Sequence, residues 1–443
     1  MSPCSPRITP PSSCATPPGR RKFSGTSISS LRVSAFLPRY DGFPFGVIDL
    51  FARGPGQPEG EERLRSGHPW VFGDDLREVP TGLPAGEWAR VRSRSGEPLG
   101  TATINLGSRI ALRRVSRADV LPTEAFLGDR LREASERRAE GGMGAERALR
   151  ILYSEGDFLP GVIADRYGDV LSVQILTAGM EIVRDLLLDV LERRFRPRLI
   201  YERSEGGGRR HEGLPERKGP ARGEGPTREL IETDGIRFSV DVETGPKTGF
   251  FLDQRRNRGI VRDLAKGKAV LDGFCAAGGF GLYALAGGAK SVLAIDSSRA
   301  AVEAARANAA LNGVSGQWEG EAEDLFQALR NLRDVGRRFD LVILDPPSFA
   351  KSREGREGAL RGYRDINRMG LSVLSPGGVL ATSSCTQLID GTEWVEALRD
   401  AAADAGADLE RIAWGGQPPD HPVLLSVPET DYLKFAVYRK RLP

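Results

Sequence analysis

The chain has 443 residues, of which 40% are hydrophobic and 28% are charged, a composition that excludes wholesale disorder and a fibrous fold. No apolar run approaches the ~18 residues of a membrane-spanning helix, so the sequence predicts a protein that is not embedded in a membrane. The net charge of +3 arises in the first 40 residues, which carry six basic side chains and no acid, so the rest of the chain sums to −3. Global charge is therefore no argument for a nucleic-acid partner.

The cysteines and histidines argue against two kinds of scaffold. The four cysteines, Cys4, Cys14, Cys275 and Cys385, have no CxxC spacing, which argues against a disulfide framework and for a reducing compartment. The three histidines are scattered along the chain, which argues against a histidine-rich zinc site. We therefore expect no metal.

Residues 1–42 are predicted to form a tail before the first domain. The first 40 residues contain seven prolines and nine serines, and such a segment cannot bury enough surface to offset its ordering entropy. Its basic, serine-rich composition fits an organelle transit peptide, and a mis-assigned start codon or a plain disordered tail fits equally well. We expect a cytoplasmic protein, or an organellar one if the tail is a transit peptide.

Two small domains are predicted before residue 233. Residues 43–118 contain short apolar runs interrupted by glycine and proline, which is typical of a small β-rich domain. Residues 119–232 predict an α+β domain with a hairpin turning at 167–169, a helix at about 180–195 and a strand at 198–203. Within it, residues 205–227 contain seven glycines, and we interpret them as a flexible insertion.

Residues 233–443 alternate strands with helices. A predicted hairpin at 236–242 leads into strands at 268–272, 291–296, 340–345 and 378–384, and the chain ends in an antiparallel hairpin between Trp414 and Arg439. Strand, helix, strand, helix at this spacing predicts an α/β fold with a parallel, doubly wound sheet.

The first strand of this sheet runs into a turn of small residues that opens a helix. Small residues let backbone N–H groups approach a ligand at the helix N-terminus. The stretch also contains GxGxxA, from Gly279 to Ala284, so a dinucleotide-binding dehydrogenase has to be considered. Against that reading, the strand ends in Asp272, whose carboxylate would repel a pyrophosphate but suits S-adenosylmethionine, a nucleoside cofactor with a cationic amino-acid portion.

Further acids follow the next two strands. Asp296 ends the second strand, where a carboxylate can bind both ribose hydroxyls, and the acids after the third strand can accept from an adenine amino group. Each of these acids could instead cap a helix or a turn. The predicted cofactor contacts in this part of the chain are Asp272, Phe274, Ala276, Gly278, Asp296, Ser297, Glu323 and Asp324.

The chemical centre is predicted at the ends of the last two parallel strands. Asp345 is followed by two prolines that fix the backbone beside it, and Cys385 lies just past the neighbouring strand. Carbon 5 of a pyrimidine is a poor nucleophile until a thiolate adds to carbon 6, after which it can attack a methyl sulfonium. Cys385 is therefore predicted to be a catalytic nucleophile with Asp345 beside it, whereas Cys275 is interpreted as a buried structural cysteine.

A set of motifs resembles the bacterial 23S ribosomal RNA cytosine-5 methyltransferases, over roughly residues 45–443. The runs that carry the resemblance are GPKTGFFLDQRRNR at 245–258, DGFCAAGG at 272–279, DPPSF at 345–349, RGYRDIN at 361–367, SSCT at 383–386 and, near the start of the ordered chain, SGHPWVF at 66–72.

The resemblance implies a PUA domain, a central α+β domain and a class I methyltransferase domain. It also implies that Gln254 and Arg258 help to close over S-adenosylmethionine. The implied partner is large-subunit ribosomal RNA that is not yet fully assembled, and a homodimer is left open. The N-terminal tail and the 205–227 segment depart from the family pattern without touching a motif.

An arginine pattern in the β-rich domain points to RNA. Arg90, Arg92 and Arg94 alternate, so on a strand their guanidinium groups would share one face and match a track of phosphates. A solvated strand face would give the same pattern. A uracil-5 methyltransferase, an exocyclic-amine methyltransferase and a non-catalytic RNA-binding factor remain as alternatives to the cytosine-5 enzyme.

Overall fold

The computed structural model describes residues 60–76, 82–93, 95–350, 352 and 354–442, together with the backbone of short strands between residues 39 and 49. Residues 1–38 of the predicted tail and Arg94 of the predicted RNA face lie outside this description. Among the described residues, no helix is both long enough and apolar enough to cross a membrane.

A five-stranded sheet forms the first folded part. A separate two-stranded hairpin of β1 (Arg39–Tyr40) and β2 (Phe43–Pro44) precedes it. The elements of this part are β3 (Gly46–Asp49), α1 (Gly60–Ser66), β4 (Trp70–Phe72), β5 (Trp88–Arg92), β6 (Pro98–Ile104) and β7 (Ile110–Ser116). The strand order is β3-β5-β6-β7-β4. In β5 the buried residues Ala89 and Val91 alternate with Arg90 and Arg92, so these two arginines share one face as predicted.

A second five-stranded sheet forms the central part. Its elements are α2 (Glu124–Glu140), β8 (Ala148–Tyr153), β9 (Val162–Tyr167), β10 (Val170–Ile175), α3 (Ala178–Ile182), α4 (Arg184–Phe195), β11 (Leu199–Ser204), α5 (Gly207–His211) and β12 (Arg217–Gly223). The order is β12-β11-β10-β9-β8, and Tyr167 pairs with Val170, which confirms the predicted hairpin turn.

The prediction of a flexible insertion at residues 205–227 is wrong. Strand β12 pairs antiparallel with β11 along its whole length, and α5 lies between them. The buried guanidinium of Arg209 donates to the carbonyl of Ile175 at 2.6 Å and to Glu181 at 2.7 Å. An edge strand draws its stability from backbone hydrogen bonds, and the glycine-rich composition therefore concealed it.

A two-stranded hairpin connects the central part to the last part. Its strands are β13 (Arg228–Thr233) and β14 (Ile236–Asp241), and Thr233 pairs with Ile236 across the turn. The predicted domain boundary between residues 232 and 233 falls inside this hairpin. The two strands of the hairpin pair along their full length, and the position of the domain boundary stays a prediction.

A seven-stranded sheet covered by helices forms the last part. Its elements are α6 (Arg255–Leu264), β15 (Ala269–Gly273), α7 (Gly279–Ala286), β16 (Ser291–Asp296), α8 (Arg299–Leu311), β17 (Trp318–Ala322), α9 (Leu325–Asp334), β18 (Phe339–Leu344), α10 (Arg356–Ser372), β19 (Leu374–Ser384), α11 (Gly391–Asp404), β20 (Leu409–Gly415) and β21 (Lys434–Lys440). The order is β17-β16-β15-β18-β19-β21-β20. The first five strands are parallel, and β21 pairs antiparallel with both β19 and β20, as the sequence predicts for a doubly wound sheet closed by a hairpin.

The central and last parts share one hydrophobic core. Tyr167 and Leu199 of the central sheet belong to one buried cluster that also contains residues of the hairpin and of the last part. These are Phe238 of β14, Val270 of β15 and Tyr283 of α7. The Tyr167 hydroxyl also accepts from the backbone N–H of Phe250 at 3.1 Å. The central sheet therefore supports the segment that leads into α6.

Candidate active site

The predicted site residues converge on one edge of the seven-stranded sheet. Asp272 is the penultimate residue of β15, and Asp296 is the last residue of β16. Asp345 directly follows β18, and Cys385 directly follows β19. The chain winds from β15 towards β17 and then crosses to β18 on the other side of β15. Such a switch point, at the carboxyl ends of the strands, is where open α/β sheets bind their ligands.

The turn after β15 is held in an unusual conformation. Phe274, Ala276 and Gly278 all have positive φ angles, of 62°, 46° and 80°. For residues with a side chain this left-handed backbone costs about 1–2 kcal/mol each. The carboxylate of Asp296 supports the turn, because it accepts from the N–H of Ala276 at 3.0 Å while it also accepts from the N–H of Ser298 at 2.9 Å.

Asp272 is a fully buried carboxylate that is only half satisfied. One oxygen accepts from the N–H of Gly281, in the first turn of α7, at 2.8 Å. The other oxygen has no hydrogen-bond partner among the described residues. Burial raises the pKa of Asp272 to about 7, although the Gly281 N–H opposes the shift. A cationic group at the unpartnered oxygen would stabilise the ionised form, so this site fits the ammonium of S-adenosylmethionine.

Arg258 lies against the start of the same helix. Its guanidinium stacks over the ring of Phe250 at 4.5 Å and donates to the carbonyl of Phe251 at 2.8 Å. A Cβ atom added to Gly279 would lie 2.6 Å from the Nε atom of Arg258, so the glycine lets the buried arginine approach the backbone. Burial lowers the pKa of Arg258. Its predicted role beside the cofactor is compatible with this position.

The remaining predicted cofactor contacts lie at the outer part of this edge. Asp324 caps α9, since its carboxylate accepts from the N–H of Gln327 at 3.1 Å. Glu323 accepts from the side chain of Asn331 at 3.1 Å, and Ser297 is exposed. The alternative reading of Asp324 as a helix cap therefore holds in the structure, and its contact with adenine stays a prediction.

Asp345 is held by two donors on the same oxygen. Oδ1 accepts from the side-chain N–H of Gln254 at 2.7 Å and from the hydroxyl of Ser383, the residue two before Cys385. Burial raises the pKa of Asp345 to about 6, while the Ser383 hydroxyl opposes the shift. Because both donors bind Oδ1, Oδ2 is left for a ligand or a proton. Gln254, predicted to contact the cofactor, thus binds the carboxyl group of Asp345.

The two described cysteines lie in different environments. Cys275 is buried, and burial raises its pKa strongly, as expected of a structural thiol. Cys385 is partly exposed. Burial and the Asp345 carboxylate raise the pKa of Cys385, and the ammonium of Lys247 opposes them. Strands β18 and β19 are parallel neighbours, with Leu344 paired to Thr382, so Asp345 and Cys385 follow adjacent strand ends.

Sequence reasoning missed an ionic cluster beside this pair. The carboxylate of Asp253 accepts from the Lys247 ammonium and from the Tyr432 hydroxyl, each at 2.6 Å. Burial opposes ionisation, but Lys247 and His421 hold the pKa of Asp253 well below its usual range. Lys247 and Asp253 both belong to the run at 245–258, which resembles a family motif. The sequence of this run does not show which of its side chains pair. Tyr432 comes from 179 residues away.

The predicted RNA face of β5 carries some internal contacts. Arg90 pairs with Asp119 at 2.7 Å, and Arg92 donates to the carbonyl of Gly96 at 3.1 Å. Both contacts lie on the surface, where such pairs are weak. An incoming phosphate can replace them, so the role of this face stays a prediction.

The fold and the site together define a class I S-adenosylmethionine-dependent methyltransferase. Residues 222–428 match the family model described as S-adenosylmethionine-dependent methyltransferase, and residues 57–117 match that of a PUA-like domain. A putative S-adenosylmethionine-dependent methyltransferase from Streptococcus mutans has a similar fold, with a TM-score of 0.75 and 21% identity over 89% of this chain and 99% of that chain. The cofactor is therefore S-adenosylmethionine.

Curated relatives narrow the class to one family. A protein from Aeromonas hydrophila subsp. hydrophila named "Ribosomal RNA large subunit methyltransferase I" is 39% identical over 389 residues, which cover 86% of this chain and 97% of that protein. A protein of the same name from Photobacterium profundum is 40% identical over 390 residues, which cover 86% of this chain and 97% of that protein. The chain belongs to the family of these methyltransferases.

Proposed function

We propose that this protein transfers a methyl group from S-adenosylmethionine to carbon 5 of a cytosine in large-subunit ribosomal RNA, through a covalent adduct with Cys385. The observation that carries the proposal is the placement of a partly exposed thiol and a carboxyl group at adjacent strand ends of the methyltransferase sheet. An enzyme that methylates an exocyclic amine has no use for the thiol. The names of the curated relatives support large-subunit ribosomal RNA as the substrate.

The reaction begins at Cys385. Its thiolate attacks carbon 6 of the ring, a carbon–sulfur bond forms, and the electron pair of the 5,6 double bond moves into the ring. S-adenosylmethionine supplies an electrophilic methyl group that carbon 5 can take. A base then removes the proton from carbon 5, the double bond forms again, and Cys385 leaves as a thiolate.

Asp345 acts on the other side of the ring in this proposal. Electron density that arrives from carbon 6 accumulates at nitrogen 3, and a proton on Oδ2 of Asp345 can stabilise it by hydrogen bonding. The two donors on Oδ1, Gln254 and Ser383, orient the carboxyl group so that Oδ2 is the free oxygen. Lys247 lies close enough to affect the charge of both Asp345 and Cys385, and its cation favours the thiolate.

The decisive experiment traps the adduct. In ribosomal RNA that contains 5-fluorocytidine, carbon 5 keeps its fluorine after methyl transfer, no proton can leave, and the enzyme stays bound. We expect a denaturation-resistant complex that requires the cofactor, forms with Cys275→Ala and is lost with Cys385→Ala.

The alternatives give different results in the same experiment. An exocyclic-amine methyltransferase would methylate the RNA without a covalent complex, and a non-catalytic RNA-binding factor would do neither. A uracil-5 enzyme would be trapped by 5-fluorouridine and not by 5-fluorocytidine. Each of these outcomes would overturn the cytosine-5 proposal.

A further inference from the structure

The most exposed large apolar side chain among the described residues stands on a tight turn. Leu425 is 100% exposed, and the turn at residues 424–427, here called the Leu425 turn, is closed by the N–H of Val427 donating to the carbonyl of Leu424 at 2.9 Å. The N–H of Leu424 also donates to the hydroxyl of Thr430 at 2.9 Å. The turn therefore presents Leu425 to other molecules on a backbone that is already ordered.

The Leu425 turn forms the ridge between two clefts. The first cleft, of about 640 Å³, lies between the PUA-like sheet, the central part and the turn. The second cleft, of about 870 Å³, is lined by Gln387 and Lys434, and the Lys434 ammonium donates to the carbonyl of Thr386, the residue after Cys385. Leu424 and Leu425 line both clefts. The Leu425 turn therefore lies on a route from the PUA-like domain towards Thr386, the residue after Cys385.

The charges in the two clefts differ. In the first cleft, Arg114, Arg117 and Arg130 face a single acid, Glu155. Arg117 is exposed and has no ion pair within the described part of the chain, so its charge is available to a phosphate.

The second cleft is more balanced. Its lining includes two cations, Arg256 and Lys434, and three acids, Asp390, Glu429 and Asp431. The excess of cations makes the first cleft the better fit for an RNA backbone.

We propose that the substrate RNA lies with its backbone in the first cleft, and that Leu425 inserts into the base stack at the place vacated by the target base. This inference rests on the proposed function. A thiolate attacks carbon 6 from the face of the ring, and neighbouring bases cover that face in a stacked helix, so the target has to be extruded. An apolar wedge that fills the gap offsets part of the cost of unstacking.

The turn is held from behind by buried groups. Asp420 accepts from the backbone N–H of Arg150 in β8 at 2.8 Å, and Gln417 donates to the carbonyls of His421 and Thr430 at 2.8 and 2.7 Å. The central sheet thus fixes the base of the loop that carries Leu425. A wedge fixed in this way loses little conformational entropy when RNA arrives.

The test compares folded and unfolded RNA under single-turnover conditions, with the full chain and saturating enzyme. The probes are protein-free large-subunit ribosomal RNA, folded with magnesium, and heat-denatured fragments of the same RNA. We expect Leu425→Ser to slow methylation of the folded RNA by about 10- to 100-fold, the factor that corresponds to burying one leucine side chain. Methylation of the denatured fragments should change less than about twofold. The control is Val335→Ser, at another highly exposed apolar residue (77%) at the C-terminal end of α9, on the opposite edge of the sheet.

Several results would overturn the proposed role of Leu425. The proposal fails if Leu425→Ser slows methylation of folded and denatured RNA equally, or if it does not slow methylation of folded RNA. A changed oligomeric state of Leu425→Ser in sedimentation, with unchanged rates, would make the turn a protein interface instead. If the wild-type chain methylates neither RNA, the proposed function fails together with the inference, which separates that case from the others.

The contact between Arg117 and an RNA phosphate can be tested separately, by the salt dependence of RNA binding. Arg117→Gln should weaken binding of the folded RNA and lower the slope of log affinity against log salt by about one, because one phosphate contact is lost. Arg333→Gln, an exposed arginine at the end of α9, should leave the slope unchanged. Equal slopes for the wild type and Arg117→Gln would contradict the placement of the RNA backbone in the first cleft.

Discussion

Asp345→Asn should change the shape of the pH–rate profile as well as the rate. Burial raises the pKa of Asp345 to about 6, and burial and Asp345 together raise the pKa of Cys385 above its ordinary value. The chemistry needs a protonated carboxyl and an ionised thiol. Because the carboxyl is the stronger acid, the two groups share one proton between pH about 6 and the ordinary thiol pKa of about 8.5.

In that pH interval, the form with a protonated Asp345 and an ionised Cys385 is a constant small fraction of the enzyme. Because the pKa of Asp345 is about 6 and that of Cys385 is raised above its ordinary value by burial and by Asp345, the proton is on Asp345 rather than on Cys385 in only a small fraction of the molecules. The wild-type rate should therefore be flat from pH 6.5 to 8.5. Asparagine cannot titrate, so in Asp345→Asn only the thiol titrates and the rate should rise about tenfold per pH unit.

The assay is single-turnover methyl transfer to ribosomal RNA across this pH range. At pH 7 the variant should be about 10²–10⁴-fold slower, the usual effect of losing an acid–base or hydrogen-bonding group, and the gap should narrow as pH rises. The dissociation constant for the cofactor should hardly move. A wild-type rate that itself rises tenfold per unit would mean that Asp345 acts ionised. A near-wild-type variant with a flat profile would leave it a structural residue.

Three further predictions concern the thiol and the cofactor. Cys385→Ala should abolish methyl transfer with nearly unchanged cofactor affinity, and retention of a tenth of the rate would contradict the thiol mechanism. Asp296→Ala should weaken cofactor binding by about 1–3 kcal/mol in calorimetry, and an unchanged dissociation constant would make Asp296 a turn acid alone. Burial raises the pKa of Asp272 to about 7, and the cationic cofactor favours its ionised form. Cofactor affinity should therefore fall by up to about tenfold per pH unit below pH 7. The affinity of Asp272→Asn should lack this pH dependence.

The sheet could be predicted because its signals are local. Buried apolar runs such as Val270–Leu271 and Leu341–Leu344 mark parallel strands, and the polar residue that follows each strand lies at the carboxyl edge whatever the rest of the chain does. Asp345 and Cys385 could be placed side by side by this rule alone. Which side chains bond there could not, because the choice depends on geometry between distant segments.

Gln254 shows the limit most clearly. Its place in the motif suggested a contact with the cofactor, which stays a prediction. No sequence pattern showed that its amide donates to Asp345, which lies 91 residues further along the chain. The edge strand at Arg217–Gly223 failed for another reason. Composition predicts whether a segment can bury apolar surface, but an edge strand of glycine, proline and arginine is stabilised by backbone hydrogen bonds to its neighbour.

The shared core of the central and last parts has a consequence for how such a chain can be divided. A fragment that began at residue 233 would expose Phe238 and Tyr283, which are fully buried against the central sheet's cluster, and would lose the Tyr167 hydroxyl that accepts from the N–H of Phe250. The methyltransferase sheet is therefore not an independent domain that could be transferred to another protein without the central part. We therefore expect the two parts to unfold together, as a single cooperative unit.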